Sequence, residues 1–168
     1  MTALSLISEA PAVFSPDRKY RYVLRRRVGF GDRSVLVVML NPSIADEERD
    51  DATVKRVIGF AVAYGFSWLT VCNAFGFCST EPENLYRVDD PVGPDNDSTI
   101  VREATRAERV IVGWGNEGVF QDRDKAVMKL LRDAGKPAYC WKITKTGQPS
   151  HPLYLPKTTE LMIYTGRE

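Results

Sequence analysis

Histidine and cysteine are scarce in this chain, which narrows the chemistry that it can perform. Among 168 residues there is one histidine, His151, and there are three cysteines, Cys72, Cys78 and Cys140. No two cysteines have CxxC spacing, and three thiols cannot form a closed set of disulfides or a four-thiolate iron–sulfur cluster. A single histidine outside any HExxH pattern leaves few ligands for zinc. We therefore expect no metal site, and we expect Cys72 and Cys140 to be ordinary strand residues.

Long apolar runs and a charge excess are also missing. No apolar run approaches the ~20 residues of a membrane span, and no signal peptide is recognisable, which predicts a cytoplasmic protein. The net charge is +1, from 23 basic and 22 acidic side chains. This balance argues against a protein that coats duplex DNA, but it leaves room for a local basic patch.

The common nucleotide-binding and nucleophile motifs do not occur. The chain lacks the GxGxxG and GK[ST] fingerprints of dinucleotide-binding and P-loop folds. It also lacks the GxSxG motif, and no cysteine–histidine pairing is evident. Catalysis by a serine or thiol nucleophile is therefore a poor hypothesis.

What the chain does contain is a repeated arrangement in which a hydrophobic strand opens into a short polar loop. The four segments are VLVVML-NPS (35–43), LTVC-NAFGF (69–77), RVIVG-WGNEG (109–118) and AYCWKITKTGQPS-HPL (138–153). In a parallel sheet these loops would all emerge at the carboxyl edge of the strands, where open α/β sheets bind ligands. The pattern predicts that Asn41, Asn73, Trp114 and His151 lie together at one rim.

The order of predicted elements favours a three-layer α/β/α fold in one domain spanning residues 1–168, with a central, mostly parallel four-stranded sheet and additional edge strands. The hydrophobic fraction of 43% is enough for a substantial core. The predicted elements are core strands at 34–40, 67–72, 109–113 and 138–141, edge strands at 19–27 and 160–164, helices at 52–64, 96–106 and 122–133, and a short helix capped by Thr80. Residues 1–17 are predicted to be irregular because Pro11 and Pro16 disfavour helix.

Two candidate groups follow the first core strand. In Asn41-Pro42-Ser43 the proline restrains Asn41 toward an extended conformation, so its side-chain carbonyl could position a water molecule; a plain turn is the alternative. A run of carboxylates follows, and Asp46 is the candidate general base in it because it is nearest to Asn41. Such runs are also common as solvated loops that cap helices, and Asp50 or Asp51 can cap the helix predicted at 52–64. In that helix one apolar face is shared by Val54, Val57, Ile58, Ala61 and Val62.

The next two loops carry candidate binding residues. Asn73 offers a donor and an acceptor that match the edge of a pyrimidine, and Phe75 beside it could stack on a flat ring. Trp114 and Gly115 form a tight turn that lets backbone approach a ligand. The alternative is that Phe75 and Trp114 pack in the core.

His151 lies in a proline-rich loop, GQPSHPLYL at 147–155. Flanking prolines would hold the imidazole in place, where it could stabilise an oxyanion. Lys142, Lys145 and Lys157 lie nearby in sequence and could meet phosphates, although surface lysines commonly serve solubility.

Taken in order, these segments resemble the motifs of the uracil-DNA glycosylase superfamily. MLNPS is similar to its GINPG or GMNPG motif, LTVCN to the strand ending in LLLN, RVIVGWG to the strand ending in LLWG, and SHPL to the HPSP motif. The chain departs from the pattern at Ser43, where the relatives have glycine, and in HPLY, which replaces HPSP.

The whole chain resembles more closely a bacterial family named only as domain of unknown function 1643. The shared motifs stand here as LNPSIAD (40–46), DDAT (50–53), NAF (73–75), DPVGPDND (90–97) and GQPSHPLYL (147–155). That family name implies no activity, so a functional expectation comes from the glycosylase resemblance.

The resemblance implies a monomeric, monofunctional DNA glycosylase of base excision repair. It would hydrolyse the N-glycosidic bond of uracil or another damaged base and would need no cofactor. Asn41, with Asp46, would place water; Asn73 would read the base; His151 would stabilise the departing base. Leu153 maps near the intercalating leucine, and Phe75 could replace the stacking phenylalanine. A hydrolase of free nucleosides or nucleotides, and a non-catalytic module that binds a modified base or abasic site, remain alternatives.

Overall fold

The computed structural model describes residues 9–167 as a mixed seven-stranded sheet with three α-helices. The strands are β1 (Ala12–Phe14), β2 (Arg21–Arg27), β3 (Ser34–Met39), β4 (Trp68–Asn73), β5 (Arg109–Val112), β6 (Ala138–Cys140) and β7 (Met162–Tyr164). The helices are α1 (Ala52–Ala63), α2 (Asn96–Arg106) and α3 (Arg123–Asp133), with short 3₁₀ segments at Pro82–Tyr86 and Asn116–Asp122. None of the helices in residues 9–167 has the length and apolarity to cross a membrane.

The strand order is β1-β2-β4-β3-β5-β6-β7. The four central strands, β4, β3, β5 and β6, are mutually parallel, and the outer pairings are antiparallel. The predicted parallel centre and the edge strand near residues 160–164 are therefore confirmed. The carboxyl ends of β3 and β4 lie side by side, with Met39 opposite Asn73.

Hydrophobic clusters use alternate residues of the central strand. Leu36 and Val38 of β3 belong to a cluster that includes Ile100 of α2 and Leu131 of α3. The intervening residues Val35, Val37 and Met39 pack instead with α1, through residues such as Val57. Successive strand side chains point to opposite faces, so the continuous apolar run of β3 is buried on both sides, as its sequence predicts.

Helix α1 begins where its cap predicts. The Asp51 carboxylate accepts a hydrogen bond from Val54 N at 2.9 Å, as an N-cap residue should. The helix ends before Gly65, which has φ +80°. Val62, predicted on the buried face, is 52% exposed, because the packed face uses Val57, Phe60 and Ala61 instead.

Three local predictions were wrong. Residues before 17 are not all irregular, since β1 lies within them; residues 1–8 fall outside the described range. Because β1 pairs with β2, the arginine-rich strand β2 is not at the edge of the sheet. Thr80 does not cap the following segment, which begins after Glu81 without a side-chain cap.

Candidate functional site

A cavity of about 230 Å³ opens at the carboxyl edge of β3 and β4. Of the four residues that the sequence predicted to meet, Asn41, Asn73 and His151 line it, whereas Trp114 does not. Ser43, from the candidate group Asn41-Pro42-Ser43, also lines it. The remaining lining residues are Arg21, Met39, Leu40, Asp51, Thr53, Val54, Val71, Ser79, Thr80 and Pro82. Loops that follow three strands of the sheet thus supply side chains from distant parts of the sequence.

Asn41 is oriented by the loop that follows β4. Its Nδ2 donates hydrogen bonds to the carbonyls of Ser79 at 2.9 Å and Pro42 at 3.1 Å. Ser79 N in turn donates to the carbonyl of Pro42 at 2.9 Å, so the two loops are joined. Both amide hydrogens of Asn41 are engaged, which leaves Oδ1 to accept a hydrogen bond from a molecule in the cavity. Pro42 itself is buried beneath this junction.

Asn73 is the last residue of β4 and is 1% exposed. Its side-chain nitrogen Nδ2 is buried and has no hydrogen-bond partner within residues 9–167. Its backbone carbonyl accepts a hydrogen bond from Asn96 Nδ2 at 2.8 Å, which anchors the strand end to α2. A buried donor without a partner is costly, and here it belongs to a residue that lines the cavity.

His151 lies at the mouth of the cavity in one defined tautomer. Leu153 N donates to His151 Nδ1 at 3.2 Å, so the neutral ring carries its hydrogen on Nε2 and can donate it. The residue is exposed overall, but atoms crowded around the ring displace water, which lowers the pKa of His151, while the negative charge of Asp51 opposes this shift. At neutral pH the ring is therefore a neutral hydrogen-bond donor.

Gly115 and Trp114 support the histidine loop rather than line the cavity. Gly115 has φ +74°, a conformation that favours glycine, and its N–H donates to the Pro149 carbonyl at 2.8 Å. Trp114 is 1% exposed and donates from Nε1 to Gln148 Oε1 at 2.9 Å. Gln148 then donates to Asp124 on α3 at 2.9 Å. The loop that carries His151 is thereby fixed to the core.

Asp46 does not line the cavity. One of its oxygens accepts hydrogen bonds from Glu48 N and Arg49 N, and these bonds lower the pKa of Asp46 to about 2. Its other oxygen pairs with Arg49. The carboxylate that does line the cavity is Asp51, which the sequence singled out only as a helix cap.

Phe75 and Leu153 also lie away from the cavity wall. Phe75 is fully buried and packs against Phe120, with ring centroids 5.7 Å apart, so the structure does not bring its ring to the site as predicted. Leu153 borders a neighbouring groove of about 360 Å³. That groove is lined by Ala52, Lys55, Arg56, Gly59, Phe60, Leu153 and Lys157.

Arg21 is the lining residue that sequence reasoning missed most completely. Because β2 runs antiparallel to β4, its first residue lies beside the end of β4, where Arg21 N donates to the Gly76 carbonyl at 3.0 Å. The run of arginines in this strand was the available signal, but its pairing direction was not readable from the sequence. The predicted strand cysteines, Cys72 and Cys140, are buried in β4 and β6.

The cavity therefore combines amide, imidazole, carboxylate, guanidinium and hydroxyl groups over an apolar floor. Within the described residues, no group of three or more histidine, cysteine, aspartate or glutamate side chains is arranged to hold a metal ion. The arrangement can bind a small ligand that presents acceptor oxygens inward, and the side chains of Asn41 and Asp51 supply acceptors for a water molecule.

Comparison with known proteins shows the family of the chain. No curated protein and no solved structure matches the chain. The family model described as "Protein of unknown function (DUF1643)" matches residues 21–153. This range contains every residue that lines the cavity, and the chain belongs to the DUF1643 family.

Proposed function

We propose that the protein hydrolyses the N-glycosidic bond of uracil or a related damaged base in DNA. The observation that carries the proposal is the buried, unpartnered Nδ2 of Asn73 in a cavity shared with Asn41 and His151. As part of the same proposal, the fold is a three-layer α/β/α fold of the glycosylase type. The division of the helices between two hydrophobic clusters, α1 in one and α2 and α3 in the other, supports that arrangement.

A single pyrimidine suits the size and polarity of the cavity. Pockets for drug-sized ligands occupy roughly 300–1,000 Å³, and this one is smaller, at about 230 Å³. Asn73 Nδ2 would donate to a carbonyl oxygen of the base, which removes the cost of a buried donor without a partner. Met39 and Val71 supply apolar contacts for the ring.

In the proposed reaction the bond between C1′ of the sugar and the base nitrogen breaks, and its electron pair stays on the base. Negative charge then spreads to the carbonyl oxygens of the base. The Nε2 hydrogen of His151 would donate to one of these oxygens as the charge develops, which is the preorganised stabilisation expected of an oxyanion site.

Water would attack C1′ from the side of Asn41 and Asp51. Asn41 Oδ1 would accept one hydrogen of that water, and the Asp51 carboxylate would take its proton as the new C1′–O bond forms. The departing base would regain a proton on release. We thus assign to Asp51 the role that the sequence suggested for Asp46, because Asp51 lines the cavity.

The neighbouring groove favours DNA over a free nucleoside as substrate. Three of its lining residues are basic, Lys55, Arg56 and Lys157, and none is acidic. Two of its lining residues are close in sequence to residues that line the cavity: Ala52 follows Asp51, and Leu153 lies two residues after His151. Phosphates flanking a base held in the cavity would meet these cations.

The experiment uses end-labelled oligonucleotides containing one uracil, single-stranded or paired with A or G, and free deoxyuridine in parallel. After incubation, alkali reveals abasic sites as strand breaks. We expect scission at uracil that falls at least about a hundredfold in Asn41→Ala and His151→Ala, while Ser98→Ala on α2 behaves like wild type. Release of uracil from deoxyuridine alone would make the protein a nucleoside hydrolase; release from neither would reject the proposal.

A further inference from the structure

Arg21 stands apart from the other arginines of its strand. Arg25 forms ion pairs with Glu9 at 2.9 Å and Glu103 at 2.6 Å. Arg26 pairs with Asp50 at 2.8 Å, and Arg27 lies over the ring of Trp68. Arg21 is 2% exposed and forms no ion pair with any carboxylate in the described part of the chain.

The guanidinium of Arg21 is only partly hydrogen-bonded. Its Nη1 donates to the Ala45 carbonyl at 3.0 Å, which ties β2 to the loop after β3. Its Nε is buried and has no hydrogen-bond partner among residues 9–167. Buried charges in proteins are normally paired or hydrogen-bonded throughout, because an isolated one is expensive. An arginine in this state in a cavity wall lacks a counter-charge that a ligand can provide.

Within the described residues, one basic and one acidic side chain line the cavity, Arg21 and Asp51. Burial lowers the pKa of Arg21, and the negative charge of Asp51, which also lines the cavity, opposes that shift. Arginine nevertheless stays protonated in proteins. His151 is a neutral donor, and Asn73 is uncharged. Among the residues that line the cavity, Arg21 is thus the one with a permanent positive charge.

The unpartnered donors are close in the fold. Arg21 lies at the start of β2 and Asn73 at the end of the adjacent antiparallel strand. Both line the same cavity, and each has a buried nitrogen without a partner in the described residues. A ligand that forms hydrogen bonds with both nitrogens places oxygen acceptors against this wall. The hydrogen bond to Arg21 is strongest if its acceptor oxygen is negatively charged.

We infer that Arg21 forms an anion subsite of the cavity, which binds a negatively charged oxygen of the ligand. The inference rests on the proposed function for the identity of that oxygen: in glycosidic hydrolysis it is a carbonyl oxygen of the pyrimidine, which becomes anionic as the base departs. Arg21 then supplies the positive charge that the neutral His151 does not.

Binding of three small probes tests the subsite without requiring turnover. Barbiturate is a pyrimidine anion at neutral pH, uracil is a neutral pyrimidine of similar shape, and inorganic phosphate is an oxyanion without a ring. We expect wild-type protein to bind barbiturate at least about tenfold more tightly than uracil in titration calorimetry, as a charge-assisted hydrogen bond requires. Equal affinity for the two pyrimidines in wild type would overturn the subsite, and this comparison needs no variant to fold.

Substitutions of Arg21 then test whether its charge causes the preference for barbiturate. Arg21→Gln should remove the preference for barbiturate while changing uracil affinity by less than about threefold, and Arg21→Lys should keep part of the preference. Arg27→Gln, at the exposed end of the same strand, is the matched control. An equal loss of affinity for all three probes in Arg21→Gln, with circular dichroism showing a folded protein, would overturn the inference. Arg21 would then serve only to hold β2 against the loop after β3.

The outcomes separate the inference from the proposed function. Phosphate binding that depends on Arg21, without binding of either pyrimidine and without excision of uracil, would retain the anion subsite and reject the glycosylase proposal. Uracil excision that survives in Arg21→Gln with unchanged probe affinities would retain the glycosylase proposal and reject the subsite. Failure of all three probes to bind wild-type protein would overturn the subsite.

Discussion

The side chain of Asn73 carries a donor that is costly for stability and that the proposed function would use. Its Nδ2 is buried without a partner in residues 9–167, and such a donor costs about 1–3 kcal/mol. We expect Asn73→Ala to excise uracil at least about tenfold more slowly. Its thermal unfolding midpoint should fall much less than after truncation of a fully hydrogen-bonded buried polar side chain, because Nδ2 has no hydrogen bond to lose within the described residues. Assay of excision beside thermal unfolding tests this.

The comparison variant is Asn73→Asp, which replaces the donor by an acceptor and should abolish excision of uracil, because two acceptors would then face each other. Retained excision in both variants would remove Asn73 from base recognition.

The pKa of His151 predicts how the activity depends on pH. The neutral imidazole is the proposed active form, and its pKa lies below the ordinary value of 6.5. Activity should therefore be full above that pKa and fall as the pH drops through it. The measurement is kcat/KM between mild acid and neutral pH. His151→Gln keeps a donor but does not titrate, so its residual activity should lack this acid limb; an acid limb centred above 6.5 in wild type would contradict the assignment.

The same pKa has a consequence for stability. Between the folded pKa and 6.5, the unfolded chain binds a proton at His151 that the folded chain does not. Stability therefore rises with pH in that window and falls on acidification through it. Denaturant titrations of wild type and His151→Gln at several pH values would isolate this contribution.

At the scale of an element, the N-terminus of α1 combines a structural role with a proposed chemical one. Asp51 caps the helix through Val54 N and lines the cavity. Asp51→Asn keeps a good cap but removes the carboxylate, so stability should stay near wild type while excision falls at least about a hundredfold. Asp51→Ala should additionally lose about 1 kcal/mol of stability.

The control for this pair is Asp46→Asn, in the loop that precedes the helix. Asp46 binds its own loop and does not line the cavity, so its replacement should leave excision nearly unchanged. A larger loss of excision in Asp46→Asn than in Asp51→Asn would return the general base to Asp46.

At the scale of the whole molecule, a net charge of +1 means that affinity for DNA must come from local charge. Lys55 and Lys157 line the groove beside the cavity. Their joint replacement by alanine should weaken binding of single-stranded DNA and reduce the slope of log affinity against log salt by about 1.4, since each phosphate contact contributes roughly 0.7. Fluorescence anisotropy in an Asn41→Ala background would measure this without turnover.

Lys129→Ala is the control for the groove, because Lys129 pairs with Asp133 on α3 and lies outside the groove. An unchanged salt slope in the double variant would place the phosphates elsewhere and would favour a free nucleoside as substrate.

The sequence alone determined the elements whose signals are local. The apolar run of β3 and the helix of Asn96–Arg106 lie where the pattern predicts, and the cap of α1 is Asp51, one of the two aspartates that the pattern offered. These signals are local because periodicity and capping act over a few residues. The strand-to-loop pattern also predicted that Asn41, Asn73, Trp114 and His151 would share one edge, since parallel strands end on the same side. Three of them line the cavity, whereas Trp114 is buried and donates to Gln148.

Only the tertiary structure decided which side chains complete the cavity. Arg21 reaches it because β2 pairs antiparallel with β4, and pairing direction depends on contacts between residues far apart in sequence. Asp51 rather than Asp46 lines the wall, and Phe75 packs inward against Phe120, because side-chain direction at the end of a strand or loop is fixed by the neighbours that pack on it. Local pattern thus sets the elements, and the packing of distant segments sets the chemistry at their shared edge.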